Sequence, residues 1–287
     1  MILIQYVIPK LLITQLAGKL ANLKGGQFTI LVIKWFVKHY QVNMGEAANP
    51  DISSYTSFND FFTRPLKIGA RPTANAAFIC PVDGAISQFG NIEFDHIYQA
   101  KNHNYSTLSL VAGNQALANK FENGLFACLY LSPKDYHRIH MPCDGKLIGM
   151  TYVPGDLFSV NPTTAASVPN LFARNERVVC EFESEDHGTF VMVLVGATIV
   201  GSIATVWHEQ VDGVRDGIIN PPRNRKVRIW QYAGKNITLR QCEEMGRFLL
   251  GSTVVVLFEK GRFQFNNNWK PSQTIKLGEI MGNYPSK

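Results

Sequence analysis

The feature that most constrains this chain is three adjacent valines, Val254, Val255 and Val256, inside residues 245–258 (MGRFLLGSTVVVLF). β-Branched side chains fit a pleated surface, and an unbroken apolar run needs cover on both faces. The run therefore predicts a strand buried within a larger sheet. Gly251, Ser252 and Thr253 stand where that strand begins. Glycine there accepts backbone angles that a Cβ makes costly, and its carbonyl lies open to the next side chain. Ser252 supplies a hydroxyl able to attack it, although a Gly-Ser step before a strand also serves as a plain turn.

Further strand candidates follow at residues 125–131, 177–183, 189–200 and 226–232, and helical periodicity is scarce beyond Ala77. Residues 81–86 (PVDGAI) and 142–147 (PCDGKL) share Pro-x-Asp-Gly-x-aliphatic, an echo that suggests a quasi-duplicated β core. That echo, with Gly278-Glu279-Ile280-Met281-Gly282, also resembles the turns of lipoyl and biotinyl carriers. Neither Asp-Gly step carries an attachment lysine in such a motif, which argues against carrier function.

The first 45 residues have another character. Leu12, Leu16, Leu20 and Leu23 recur at helical spacing, and Ile33, Trp35, Phe36 and Val37 repeat the design beside Lys34 and Lys38. Residues 1–45 hold five lysines and no acid, whereas the remainder, with 23 basic and 22 acidic residues, is nearly neutral. The net charge of +6 thus points to one end of the molecule and not to nucleic acid. Pro9 and Lys10 interrupt the first apolar stretch, so no run approaches the roughly 18–20 residues that span a bilayer. Two interfacial helices or an ordinary helical hairpin both satisfy the pattern. Ser57 reads as the N-cap of a short helix with Asp60 three residues on, and the domain boundary is placed near Ala47. The fold expected is α+β: N-terminal amphipathic helices, then a β-rich catalytic domain of packed, mostly antiparallel sheets. Five cysteines in no dense pattern favour reduced thiols in a cytoplasmic setting.

Residues 133–142 (PKDYHRIHMP) put two histidines three apart between prolines that confine any helix to about one turn, so His137 and His140 can share a side. With Cys143 they give His-x-x-His-x-x-Cys, which invites a zinc reading but offers no clear fourth ligand. Two hydrogen-bonded loop histidines satisfy the pattern equally. Asp83 in Cys80-Pro81-Val82-Asp83-Gly84 reads as a turn aspartate or as a catalytic carboxylate, and Asp144 is its echo. Asp83, His140 and Ser252 together make the grouping of serine hydrolases, although Gly-x-Ser-x-Gly is absent around Ser252. Arg223, Arg225, Lys226 and Arg228 could meet a lipid phosphate but read better as a solvated strand face, with no nucleic-acid module in view.

Residues 245–253, the Asp135-Tyr136-His137-Arg138-x-His140-x-Pro142 motif, the Asp83 motif, residues 55–66 with Gly69-Ala70-Arg71-Pro72, Gln99-Ala100-Lys101 and residues 152–161 follow one another in an order that resembles the bacterial phosphatidylserine decarboxylases. The resemblance runs from about Tyr55 to Tyr284. It implies a pyruvoyl-dependent proenzyme that cuts itself between Gly251 and Ser252, giving a β chain of residues 1–251 and an α chain of residues 252–287. Ser252 becomes the pyruvoyl cofactor, which binds substrate as a Schiff base. Asp83, His140 and Ser252 are implied as the self-cleavage triad, and His137 as the group that contacts the substrate carboxylate or protonates its Cα. No metal is implied. The partners implied are phosphatidylserine in the membrane and the two chains of one precursor, with a homodimer left open. Residues 1–46 would then associate with the cytoplasmic side of the inner membrane, and residues 47–287 would form the catalytic domain. A serine hydrolase and a noncatalytic lipid-binding domain remain the competing readings.

Overall fold

The computed structural model describes residues 5, 9–100, 103–198, 203–211, 226–249 and 253–285. Gly251, Ser252, Arg223, Arg225 and Lys101 lie outside the described residues, as does part of the 189–200 strand candidate.

The valine run forms the strand Thr253–Phe258, in which every residue is buried. It sits in the middle of a nine-stranded sheet, between Leu125–Tyr130 and Gly188–Val195, and pairs antiparallel with both. Val254, Val256 and Phe258 enter one hydrophobic cluster, while Val255 and Leu257 enter another on the opposite face. An apolar run with period-2 geometry and cover on both sides is what the sequence required. All named strand pairs are antiparallel, and the helices are concentrated at the N-terminus and in short connections, so the fold is α+β.

The Asp-Gly echo is an internal duplication. Gly84–Asn91 and Gly145–Val153 both start directly after their Asp, and each takes a two-residue partner strand, Thr274–Ile275 and Thr238–Leu239 respectively. Leu277 N–H donates to Asp83 Oδ1 at 2.9 Å, and Gln241 N–H donates to Asp144 Oδ1 at 2.7 Å. The two turns also bond each other: Ile79 N–H reaches Pro142 O at 3.0 Å and His140 N–H reaches Pro81 O at 2.9 Å. Gly278, with φ of +86°, stands where the other copy has Cys242, with φ of +69°.

The N-terminal helices are Lys10–Asn22 and Gln27–Tyr40. Ile33 and Phe36 pack with Tyr55, Phe61 and Phe62 in a third cluster. Leu12, Leu16, Leu20, Leu23, Phe28, Leu31 and Trp35 remain exposed. The short helix Phe58–Phe62 is capped as its sequence predicts: Asp60 N–H donates to Ser57 Oγ, and Thr56 N–H to Asp60 Oδ2.

Candidate active site at one end of the large sheet

Register gathers the candidate residues. Ala85 faces Tyr130 and Tyr130 faces Thr253, which also pairs with Val195. The strands Gly84–Asn91 and Thr253–Phe258 therefore run in the same direction, two positions or about 10 Å apart. Asp83 precedes the first, and Ser252 is the residue before the second. The chain leaving Tyr130 at that same end runs through Ser132 and Asp135 to His137. On the approach to Gly251, Phe248 N–H donates to His137 O at 3.0 Å. The chain on either side of the Gly251-Ser252 junction is thus tied to the end of the sheet that carries Asp83 and the histidine segment.

The histidine segment corrects one expectation. Arg138–His140 is a strand, paired with Glu244–Phe248, and not a turn of helix. Pro142 denies the segment helical continuation, while the neighbouring strand offers it ladder hydrogen bonds. His137 is fully buried. Its Nδ1–H donates to Asp135 O at 2.8 Å, which leaves Nε2 a bare lone pair with no partner among the described residues. Burial holds its pKa at about 3, with Arg64 adding to the effect, so the imidazole is neutral.

His140 donates Nδ1–H to Cys242 O at 2.8 Å and accepts from the Tyr136 hydroxyl on Nε2 at 3.2 Å. Burial lowers its pKa, and the Cys242 carbonyl, Glu244 and Asp83 oppose that shift. A second difference from the sequence expectation lies here. The Cys242 carbonyl orients His140, and the Asp83 carboxylate bonds elsewhere, with Arg71 Nε at 2.9 Å, Arg71 Nη2 and Leu277 N–H. Asp83 reaches His140 through its field alone.

Arg71 also donates to Glu46 Oε2 at 2.6 Å and to Ala70 O at 2.7 Å, and its bonds to Asp83 raise its own pKa. In the sequence Arg71 stands within Gly69-Ala70-Arg71-Pro72 with nothing to mark its role. Its signal was an arginine twelve residues before the acid, which no spacing rule links to it. Asp144, the structural twin of Asp83, has no such arginine among the described residues, where it accepts from Gln241 N–H. Cys143 is buried in the apolar core, which pushes its thiol pKa up, and His137 and His140 spend Nδ1 on different carbonyls. Among the described residues no group of three His, Cys, Asp or Glu could hold a metal ion.

The family model described as phosphatidylserine decarboxylase matches residues 58–283, and a second, described as PSD, matches residues 1–41. The chain is 65% identical over 281 residues to the phosphatidylserine decarboxylase proenzyme of Dechloromonas aromatica, covering 98% of this chain and 96% of that protein. It is 63% identical over 279 residues to the proenzyme of the same description from Methylobacillus flagellatus, covering 97% and 96%.

Proposed function

Because the chain belongs to the phosphatidylserine decarboxylase family, we propose that it is a proenzyme that cuts itself between Gly251 and Ser252. It then converts phosphatidylserine to phosphatidylethanolamine and carbon dioxide through a pyruvoyl group made from Ser252. The observation that carries this reading is the single sheet end at which Asp83, His137, His140 and both approaches to Gly251-Ser252 meet.

In the cleavage, Ser252 Oγ attacks the Gly251 carbonyl carbon and gives up its proton to a neutral imidazole. His140 qualifies because its Nδ1–H is fixed on a carbonyl and its Nε2 accepts. The amide becomes an ester. Loss of the Ser252 α-proton then expels the carboxylate of Gly251 and leaves an unsaturated residue, which takes up water and releases ammonia. Asp83 favours the protonated state of His140 from a distance, held in place by Arg71 and Leu277 N–H.

The orphaned lone pair of buried His137 Nε2 fits a reacting group at this place. Once formed, the pyruvoyl ketone supplies a sink for the electron pair left by the Cα–carboxylate bond. His137 accepts the proton that the substrate ammonium must lose, its protonated form favoured by the arriving carboxylate, and returns it to Cα after carbon dioxide leaves.

We assign residues 1–46 to a peripheral attachment on the cytoplasmic face of the inner membrane and residues 47–287 to catalysis. The exposed leucines, Phe28 and Trp35 suit the acyl boundary, and the lysines suit anionic headgroups. Among the described residues no helix is long and apolar enough to cross a membrane. After cleavage the α chain stays seated, because its strand Thr253–Phe258 lies between two strands of the β chain.

The test is Ser252→Ala against the unaltered protein on phosphatidylserine vesicles. The unaltered protein should release carbon dioxide, and the variant should remain one chain and release none. Carbon dioxide release by the uncut variant would sink the pyruvoyl reading.

A further inference from the structure

The segment leading from the helices to the sheet lays a second arginine against the same site. Phe62 packs on His137 with ring centroids 4.0 Å apart, and Thr63 O accepts from Arg138 Nε at 2.8 Å. Pro65 O then accepts from Ala48 N–H at 2.9 Å, and Leu66 bridges Ala47. Arg64 lies between these anchors and is 3% exposed. It pairs with no carboxylate among the described residues. Among the described residues its one hydrogen bond, Nη1 to Phe61 O, is stretched to 3.5 Å, and its buried Nε–H has no acceptor. The guanidinium carbon stands 5.1 Å from the centroid of the Phe61 ring.

The other arginines define what a structural arginine looks like in this fold. Arg177, equally buried and also without a carboxylate among the described residues, spends its fork on the carbonyls of Leu110, Ala173, Asn175 and Ser109. Arg71 is saturated by Asp83, Glu46 and Ala70 O. Arg64 alone of these three keeps donors unspent. The acids within its electrostatic reach are already engaged, Asp83 and Glu46 by Arg71 and Asp135 by Ser132. Tyr55, its other charged-state neighbour, donates its hydroxyl to Asn49 O. Leaving a buried guanidinium this poorly paired is destabilising, and a second unsatisfied group, His137 Nε2, stands on an imidazole within its electrostatic reach, so the two together call for a ligand.

We infer that Arg64 receives an oxyanion of the substrate headgroup while His137 Nε2 faces its amine. This rests on the decarboxylase reading above. The phosphodiester is the favoured oxyanion. Its charge is unchanged through the reaction, so pairing it strengthens binding alone, whereas a cation on the departing carboxylate would stabilise the ground state and slow its loss.

The self-cleaved protein, Arg64→Gln and Arg64→Lys are compared by calorimetry with glycerophosphoethanolamine and glycerophosphoserine, and by kinetics on phosphatidylserine in mixed micelles. Loss of a charge-assisted hydrogen bond should weaken both soluble headgroups and raise KM on the order of 10- to 100-fold in Arg64→Gln, at nearly unchanged kcat. Arg64→Lys keeps the charge without the fork and should fall between. Weakening of glycerophosphoserine alone would identify the oxyanion as the carboxylate. Unaltered affinity for both headgroups in either variant overturns the inference, as does a fall in kcat at constant KM. Headgroup binding that depends on Arg64 in a protein releasing no carbon dioxide would overturn the reaction and leave the anion site standing.

Discussion

His137 keeps its imidazole neutral inside the fold, and that has a thermodynamic consequence. Above pH 6.5 the residue is neutral in both folded and unfolded chains. As pH falls below 6.5 the unfolded chain gains a proton that the folded chain, with a pKa of about 3, refuses. Stability therefore declines from pH 6.5 downward, by about 1 kcal/mol for one such group between pH 7.5 and 5.5. His140, lowered in the same direction, adds to the slope. Urea denaturation at the two pH values should show the decline, and His137→Asn should flatten it. An equal slope in the variant would contradict a buried neutral His137. Arg71 governs Asp83 at the same scale. Arg71→Met strips the carboxylate of its bidentate partner while Leu277 N–H remains, and should slow self-cleavage by an order of magnitude or more, read as persistence of the full-length band. Cleavage at the unaltered rate would place Asp83 outside the reaction.

Among the elements, the paired Asp-Gly turns carry the proposed site, and Gly84 shows how tightly. A Cβ there would fall inside van der Waals reach of the Tyr130 carbonyl oxygen, so Gly84→Ala should force apart two strands that meet at the catalytic end. A loss of about 1–3 kcal/mol is expected, read as a lowered melting temperature. The strand at 253–258 was legible because β-branched residues buried on both faces leave little choice of structure. The duplication was legible from the Asp-Gly echo, but its depth was not, because Cys242 and Gly278 share a position and a left-handed backbone but not a residue type. The strand at 138–140 was not legible for a physical reason: its ladder partner, residues 244–248, lies a hundred residues away, and local periodicity carries no trace of it. Arg71 and the Cys242 carbonyl escaped for the same reason. Side-chain reach across the fold, and backbone groups above all, leave no mark in composition or spacing.

At the scale of the whole molecule the N-terminal helices and the proposed catalytic end are joined by a chain of ion pairs. Glu46, just beyond the helices, bonds Arg71, which bonds Asp83, and Lys276 lies 3.6 Å from Glu46. The exposed faces of the two helices are the surface proposed above to meet lipid. Leu16→Glu with Trp35→Glu should lower binding to anionic vesicles in a flotation assay by about 10-fold or more, because each removes a side chain worth about 1.5–3 kcal/mol when buried. Binding at the original level would refute the attachment. The most direct test of the account is the intact mass of freshly purified protein under denaturing conditions. Two pieces, residues 1–251 and residues 252–287, with the smaller lighter by one ammonia, are predicted. A single full-length mass that persists on incubation would contradict self-cleavage at Gly251-Ser252 and, with it, the pyruvoyl chemistry.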